Sequence, residues 1–486
     1  MNVLDLFDEV LGDSADAEAL VEPTASGTRR ITFGEWAAAA DGVARALFAA
    51  GVAKGDVVAI ALPSSIDYAI AYQGILRAGG IATGINPRLG HSEVEHIRRR
   101  CDPKLVIDGA LPSEGPGDPF GRHIALDDTD PVAIVWTGGT TGLPKGAWFD
   151  HACLRAMAGG AAPLSERHDR RLSPLPFAHV GYMTRVWDEL VHRITTVIVP
   201  APWTATAAID LVGSERVTVC QGVPTQYRMM LDDPALDRCD TSSLRLAGTG
   251  AARVPPELVA EIGARLGCPV VVRYASTEAS LATGTRLGDG PDVISTTVGR
   301  PNGDVELRIT DGDGHDVADG TVGTIRLRTR AMMRGYWNDP EQTGAAIDGD
   351  GWLRTGDLGA VGDDGNLRLA GRTTEMYIRG GYNVYPIEVE NCLGQHPAVA
   401  AAAVVGADVD DRLGEIGILF AVPRACADVD LAEVRSFVGN RLASYKSPDA
   451  LVVVDALPLT PIGKVDKLAL RSRADEEARR WSRVTQ

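Results

Sequence analysis

The densest chemistry in the chain lies in Thr137-Gly138-Gly139-Thr140-Thr141-Gly142-Leu143-Pro144-Lys145-Gly146. Glycines let backbone N–H groups approach an anion and turn toward it, threonine hydroxyls add donors, and the lysine adds positive charge. That set suits a phosphate. The apolar run Val132-Ala133-Ile134-Val135-Trp136 before it reads as a buried strand, so the loop leaves a strand end. The spacing G-x-x-x-x-G-K-[ST] is absent here and around Gly463-Lys464, which excludes a Walker A loop. A flexible surface turn would have the same composition, so other groups must converge on the loop before it means more.

Five later stretches carry candidates. Pro174-Leu175-Pro176-Phe177-Ala178-His179-Val180-Gly181 holds a histidine that would otherwise read as a structural hydrogen bonder. Tyr274-Ala275-Ser276-Thr277-Glu278 follows the buried strand read over Pro269–Tyr274, so it sits at a strand's carboxyl end, where α/β sheets bind ligands. It combines an aromatic, a hydroxyl and a carboxylate; taken alone, Glu278 could be an acid at a helix start. Thr355-Gly356-Asp357 is by itself only a turn. Gly371-Arg372-Thr373-Thr374-Glu375-Met376 runs on through Arg379-Gly380-Gly381 to Glu390. Pro458-Leu459-Thr460-Pro461-Ile462-Gly463-Lys464-Val465-Asp466-Lys467 ends the series, and an isolated Gly-Lys of this kind is usually exposed surface.

The elements that must position these groups alternate. Thr32-Phe33-Gly34-Glu35 is a capping box opening a helix that stops near Gly51. Strand 56–62, helix 64–78, strand 81–86, helix 92–101 and strand 104–108 follow, the alternation of βαβ units in a parallel sheet. Residues 111–130 read as a loop. A second α/β portion has strands at 195–199, 217–221, 244–247 and 269–274, with helices at 225–231 and 255–266. From about 297 to 371 short strands separated by Asp/Gly turns predict an antiparallel, barrel-like piece. Beyond Gly371 the pattern predicts helix 387–394, strands 399–405 and 415–422, helix 431–442 and strand 451–455. That is a separate small domain, and the tail from Arg471 reads as a solvated helix end.

Composition sets bounds. At 486 residues the chain exceeds one ordinary core. A net charge of −17 argues against nucleic acid and anionic membranes as partners, so an anionic ligand needs local positive charge. The seven cysteines form no C-x-x-C pair, which predicts reduced, mostly buried thiols and a cytoplasmic protein. No run of 18 apolar residues and no basic n-region predict neither a membrane span nor a signal peptide.

The loop at 137–146 resembles the T-[SG]-[SG]-[ST]-[ST]-G-x-P-K-G signature of the adenylate-forming superfamily, and the five later stretches resemble that superfamily's other motifs in the same order. The resemblance implies an α/β fold. It has a large N-terminal domain, residues 1–373, of two parallel-sheet subdomains plus a small β-barrel-like one. A small mobile α+β lid, residues 374–486, follows. It implies an AMP-forming acyl-CoA synthetase with Mg²⁺, and with ATP and CoA as co-substrates.

Roles carry over position by position. Thr137, Gly138, Gly139, Thr140, Thr141 and Lys145 would cradle phosphates, and Gly250, Ala251 and Ala252 would wall the adenine beside Tyr274. Thr277 would meet phosphate, Glu278 would hold Mg²⁺, and His179 would face the substrate carboxylate. Asp357 would hold the ribose, with Arg372 on ribose or phosphate. Thr374 would be the hinge, Arg379, Gly380 and Gly381 the edge along which CoA enters, and Lys464 the adenylation lysine. The acid's pocket is expected near 177–183, 221–224, 248–252 and 279–281.

Gly138, Ala275 and Thr374 depart from the usual serine, glycine and Asp or Lys. That leaves open a ligase with weakened adenylation that mainly thioesterifies a supplied acyl-AMP. Also open are a stand-alone adenylation enzyme loading carrier-protein pantetheine, a non-catalytic nucleotide- or acyl-binding relative, and a homodimeric assembly.

Overall fold

The computed structural model describes residues 2–114, 120, 124–137, 143–158, 164–250, 254–380, 382–410, 414–460 and 464–485. Gly138, Gly139, Thr140, Thr141, Ala251, Ala252 and Gly381 therefore lie outside the described residues. The chain forms two compact units, residues 1–307 with 327–354, and residues 308–326 with 355–486.

The first unit holds two sheets. One has six strands in the order Gly335–Tyr336, Lys145–Asp150, Pro131–Thr137, Ile81–Gly84, Val57–Ile60, Leu105–Ile107. Its four strands from the βαβ stretch pair in parallel, and the two beyond them are antiparallel. The βαβ strands are buried on both faces, which is why they read as unbroken apolar runs. The helix after Thr32 begins where the sequence places it. Thr32 Oγ1 accepts from Glu35 N at 3.1 Å and Glu35 Oε2 accepts from Thr32 N at 2.8 Å.

The other sheet has nine strands, with Leu246–Gly250, Val219–Gly222, Arg170–Ser173 and Thr195–Ile198 at its parallel centre. One member is not apparent from periodicity. The hairpin Glu18–Thr24/Gly27–Thr32 joins this sheet through parallel pairing of Leu20 and Val21 with Thr196 and Val197, although it precedes every strand of the six-stranded sheet. A strand pattern says nothing about which of two sheets it will join.

A four-stranded sheet, in the order Glu306–Thr310, Gly323–Arg328, Leu353–Val361, Leu367–Arg372, belongs mostly to the second unit. Compactness therefore groups most of this sheet with the C-terminal residues, whereas the sequence division set it with the N-terminal domain.

The remaining part of the second unit is a five-stranded sheet covered on both faces. Val404, Leu419 and Ala421 face helices Pro386–Leu393 and Leu431–Gly439. Val405, Ile418 and Phe420, one residue out of phase, pack with Leu470, Ala474 and Ala478 of helix Lys467–Thr485. The tail is thus not a solvated helix end. Its apolar residues recur every four positions among many charges, enough to cover one sheet face.

Candidate active site

In the first unit, the two strands that flank the glycine-threonine stretch form a hairpin. Strand Pro131–Thr137 pairs antiparallel with Lys145–Asp150, and Thr137 stands opposite Lys145. Lys145 is thereby fixed at the loop's exit. Its Nζ donates to Gln342 Oε1 at 2.8 Å and lies 5.3 Å from the centroid of the Tyr336 ring, within cation–π range. Tyr336 OH donates in turn to Glu278 Oε1 at 2.9 Å. Burial, and then the Glu278 carboxylate, hold the Tyr336 hydroxyl far above its ordinary pKa, so it remains a proton donor. A lysine and a carboxylate picked from distant motifs are therefore joined through one phenol.

Neither Tyr336 nor Gln342 is a sequence candidate. Tyr336 lies in a two-residue strand beside Ala147, too short for any periodicity. Its position is enforced further by Met333 N, which donates to Glu278 O at 2.7 Å.

The Tyr274–Glu278 stretch differs from the expected loop. Tyr274, Ala275 and Ser276 complete strand Val270–Ser276, and Thr277 and Glu278 form the turn into antiparallel strand Ser280–Gly284. Glu278 therefore starts no helix. Tyr274 is buried, while Thr277 and Glu278 are half-buried. On the neighbouring strand Gly250 stands opposite Arg273, and a Cβ there would lie 2.2 Å from Arg273 O, so only glycine fits.

His179 caps the short helix Val180–Met183, its Nδ1 accepting from Gly181 N at 3.2 Å. In the neutral ring the proton then sits on Nε2. Of the expected acid-pocket residues, Phe177, Tyr182 and Met183 are fully buried. Phe177 stacks on Tyr182 at 3.6 Å, with Tyr68 edge-on to both.

In the second unit, Asp357 and Arg372 face each other across strands Leu353–Val361 and Leu367–Arg372, with Arg372 Nε 3.0 Å from Asp357 Oδ1. Thr374 lies exposed in the following turn. Thr373 holds that turn to Gly356 O through its N–H at 2.9 Å and its hydroxyl at 2.8 Å. Gly380 has φ +56°, a left-handed conformation that favours glycine. The Arg379 guanidinium is paired within its own unit. It grips the buried Asp449 with two bonds, Nε at 2.8 Å and Nη2 at 2.6 Å.

Lys464 O accepts from Thr460 N at 2.7 Å, and Lys464 N donates to Thr460 Oγ1 at 3.1 Å. Three residues on, Lys467 Nζ meets Glu375 at 2.7 Å and Glu390 at 2.9 Å. Burial opposes its charge, but the two carboxylates outweigh it and raise its pKa. Lys467 stands in the quoted motif without a role, and Glu375 adjoins Thr374.

Within the first unit, Lys145, Tyr336 and Glu278 could neutralise phosphate oxygens and hold one divalent cation. Comparison with known proteins agrees. The family described as AMP-binding enzyme matches residues 7–119 and 108–337, and the AMP-binding enzyme C-terminal domain matches residues 388–464. A 3-[(3aS,4S,7aS)-7a-methyl-1,5-dioxo-octahydro-1H-inden-4-yl]propanoyl:CoA ligase of Mycobacterium tuberculosis is 37% identical, over 91% of this chain and 94% of its own length. Indoleacetate–CoA ligase of Aromatoleum aromaticum is 34% identical, over 94% of this chain and 96% of its own. The crystal structure of ATP-bound MatB from Rhodopseudomonas palustris superposes with a TM-score of 0.88 at 28% identity, covering 98% of this chain and 100% of that one.

Proposed function

The chain belongs to the AMP-binding enzyme family and is an ATP-dependent, AMP-forming acid:CoA ligase, and we propose that Lys145, Tyr336 and Glu278 are the fixed centre at which it activates a bulky carboxylic acid. The observation that carries this reading is the contact chain from Lys145 through Tyr336 to Glu278. It ties the exit of the glycine-threonine loop to the one carboxylate proposed for metal.

A carboxylate is a poor acyl donor because its leaving group would be oxide. Its oxygen attacks the α-phosphorus of ATP, the bond to the β-phosphate bridging oxygen breaks, and pyrophosphate departs with that electron pair. The acyl-AMP so formed carries a good leaving group. A thiol then attacks the acyl carbon, loses its proton, and expels AMP as the thioester forms.

The first step brings a carboxylate against a triphosphate, and its barrier is largely charge repulsion. Lys145 supplies fixed positive charge at the loop's exit, and Lys464 is the second lysine assigned to the same task. The donor set fits Mg²⁺. Glu278 Oε1 is taken by Tyr336, Oε2 makes no hydrogen bond with a described residue, and one carboxylate plus phosphate oxygens is the usual Mg²⁺ arrangement. Bound there, the ion would screen the phosphate oxygens. Thr277 stands beside Glu278 to donate to phosphate. His179, with its proton on Nε2, donates toward the acid's carboxylate, and Tyr274 and Gly250 line the adenine.

Asp357 accepts the ribose hydroxyls once Arg372 turns from it to the nucleotide. Residue 374 is assigned as the pivot between the half-reactions, with residues 1–373 as the static part and 374–486 as the moving lid. Gly380 offers backbone to pantetheine beside Arg379, whose guanidinium is paired with Asp449. The two relatives named above act on acids carrying fused rings, which supports a bulky, ring-bearing acid here.

The test is a panel of carboxylic acids with ATP, Mg²⁺ and either CoA or a holo-carrier protein, read as AMP release and thioester mass. Ring-bearing acids should give CoA thioesters. Thioester on the carrier protein alone would favour the loading enzyme, and absence of both acyl-AMP formation and consumption would contradict the reading.

A further inference from the structure

A cavity of about 170 Å³ in the first unit is lined by Arg185, Asn302, Ser280, Leu281, Ala156 and Met157 among others. Two of its walls come from segments already tied to the acid. Ser280 and Leu281 directly follow Glu278 and Ala279, and Arg185 lies just beyond the His179 helix. Ser280 is held at φ +59°, an uncommon conformation for a residue with a Cβ, and such positions cluster at ligand sites.

Arg185 is the unusual wall. Its side chain is only 13% exposed, and its Nε and Nη2 are buried without a hydrogen-bond partner among the described residues. Of the nearby carboxylate oxygens, Asp188 Oδ1 is buried without a hydrogen-bond partner among the described residues, 3.7 Å from His192 Nε2, and the other three are engaged. Asp188 Oδ2 accepts from Ser165 Oγ at 2.5 Å and Arg171 Nη2 at 3.3 Å, while Glu189 takes Thr196 Oγ1 at 2.7 Å and Arg171 Nη1 at 3.4 Å. Arg185 Nη2 comes no closer to Asp188 than 3.8 Å, beyond hydrogen-bond reach.

Burial, then the neighbouring Arg171, press the Arg185 pKa down to about 10. Burial presses Arg273 to about 10 as well, with Arg185 and Arg286 adding to it. Asn302, which also lines the cavity, has a buried Nδ2 without a hydrogen-bond partner among the described residues. Asp304, also in the wall, is held by Thr329 and Arg330. Buried donors left without acceptors are costly, by about 1–3 kcal/mol each, and Arg185 and Asn302, which line one cavity, each hold such donors closed to solvent, so a turn of either side chain would offer them to an acceptor from outside.

We infer that the acid activated here carries an oxygen acceptor, a carbonyl or a second carboxylate, at the end remote from its reacting carboxylate, and that Arg185 and Asn302 receive it. This rests on the ligase reading and names the class of its substrate. A site built to hydrogen-bond a substrate group discriminates strongly against the analogue lacking it, because its own buried donors then stay unpaired.

The test compares three ring-bearing acids of equal length that end in a methyl group, a ketone or a carboxylate, by kcat/KM for AMP release. The wild type should prefer an oxygenated acid at least tenfold. Arg185→Met should bring that ratio near one by lowering only the oxygenated acid's kcat/KM, and Asn302→Leu should lower it several-fold. The Asn302→Leu ratio decides the matter if the arginine variant does not fold. A wild-type ratio of one or less, or a ratio unmoved in whichever variant folds, overturns the inference while AMP release from the methyl-ended acid upholds the ligase. No AMP from any acid would instead strike the ligase reading itself.

Discussion

Tyr336 is where the residue scale is most informative. Its hydroxyl bonds Glu278 and its ring lies beside the Lys145 amine, so removing only the oxygen isolates one link. Tyr336→Phe keeps the ring and leaves Glu278 without this donor. A hydrogen bond to a charged group contributes about 1.5–3 kcal/mol, so ATP–pyrophosphate exchange should fall about tenfold or more with the fold intact. Exchange at the wild-type rate would remove Tyr336 from the site.

His151 makes a separate prediction, about stability. Burial lowers its pKa from 6.5 to about 4 against the pull of Asp130 and Asp150, and its Nδ1 accepts from Val3 N at 3.4 Å. The folded ring binds fewer protons than the unfolded one. Its stabilising contribution is therefore complete above pH 6.5 and is lost as pH falls from 6.5 toward 4. The shift corresponds to something on the order of 3 kcal/mol. His151→Asn keeps an acceptor but cannot titrate, so its urea midpoint should fall less than the wild type's across that window. Parallel midpoints would refute the assignment.

Elements show what patterns in the chain can and cannot specify. The βαβ strands are legible because each is a short apolar run between turn signals, and the helix at 33–49 because its capping box is local. The pairing of residues 18–24 with 195–198 is not legible, since it depends on which sheet edge is open rather than on local composition. The C-terminal helix misleads for the opposite reason. Its charges dominate the composition, while Leu470, Ala474 and Ala478 alone decide its packing. Leu470→Ala should cost about 2–5 kcal/mol, as for other buried leucines, whereas a solvated helix end would show at most about 0.5 kcal/mol. Chemical denaturation of the two proteins separates these values.

The site has the same split between local and distant. Lys145 and Glu278 are legible as motif residues, but their junction through Tyr336 and Gln342 is not, because a two-residue strand and a single glutamine carry no periodic signal. The pairing of Arg379 with Asp449, far along the chain, is likewise not legible in the motif.

At the scale of the whole molecule, one chain is to perform two reactions with different residues. Activation of the acid is assigned to Lys464, whose backbone N–H donates to Thr460, and thiol transfer is assigned to Gly380. Lys467, paired with Glu375 and Glu390, ties the end of the Lys464 motif to the residue beside the assigned pivot, so the lysine and the pivot belong to one connected structure. The direct measurement is Lys464→Ala assayed on each half-reaction separately. Losing one charge that acts in the transition state should lower ATP–pyrophosphate exchange by about 100-fold or more. Thioester formation from chemically prepared acyl-AMP and CoA should stay within a few-fold of the wild type. Unchanged exchange, or an equal fall in both half-reactions, would contradict the account.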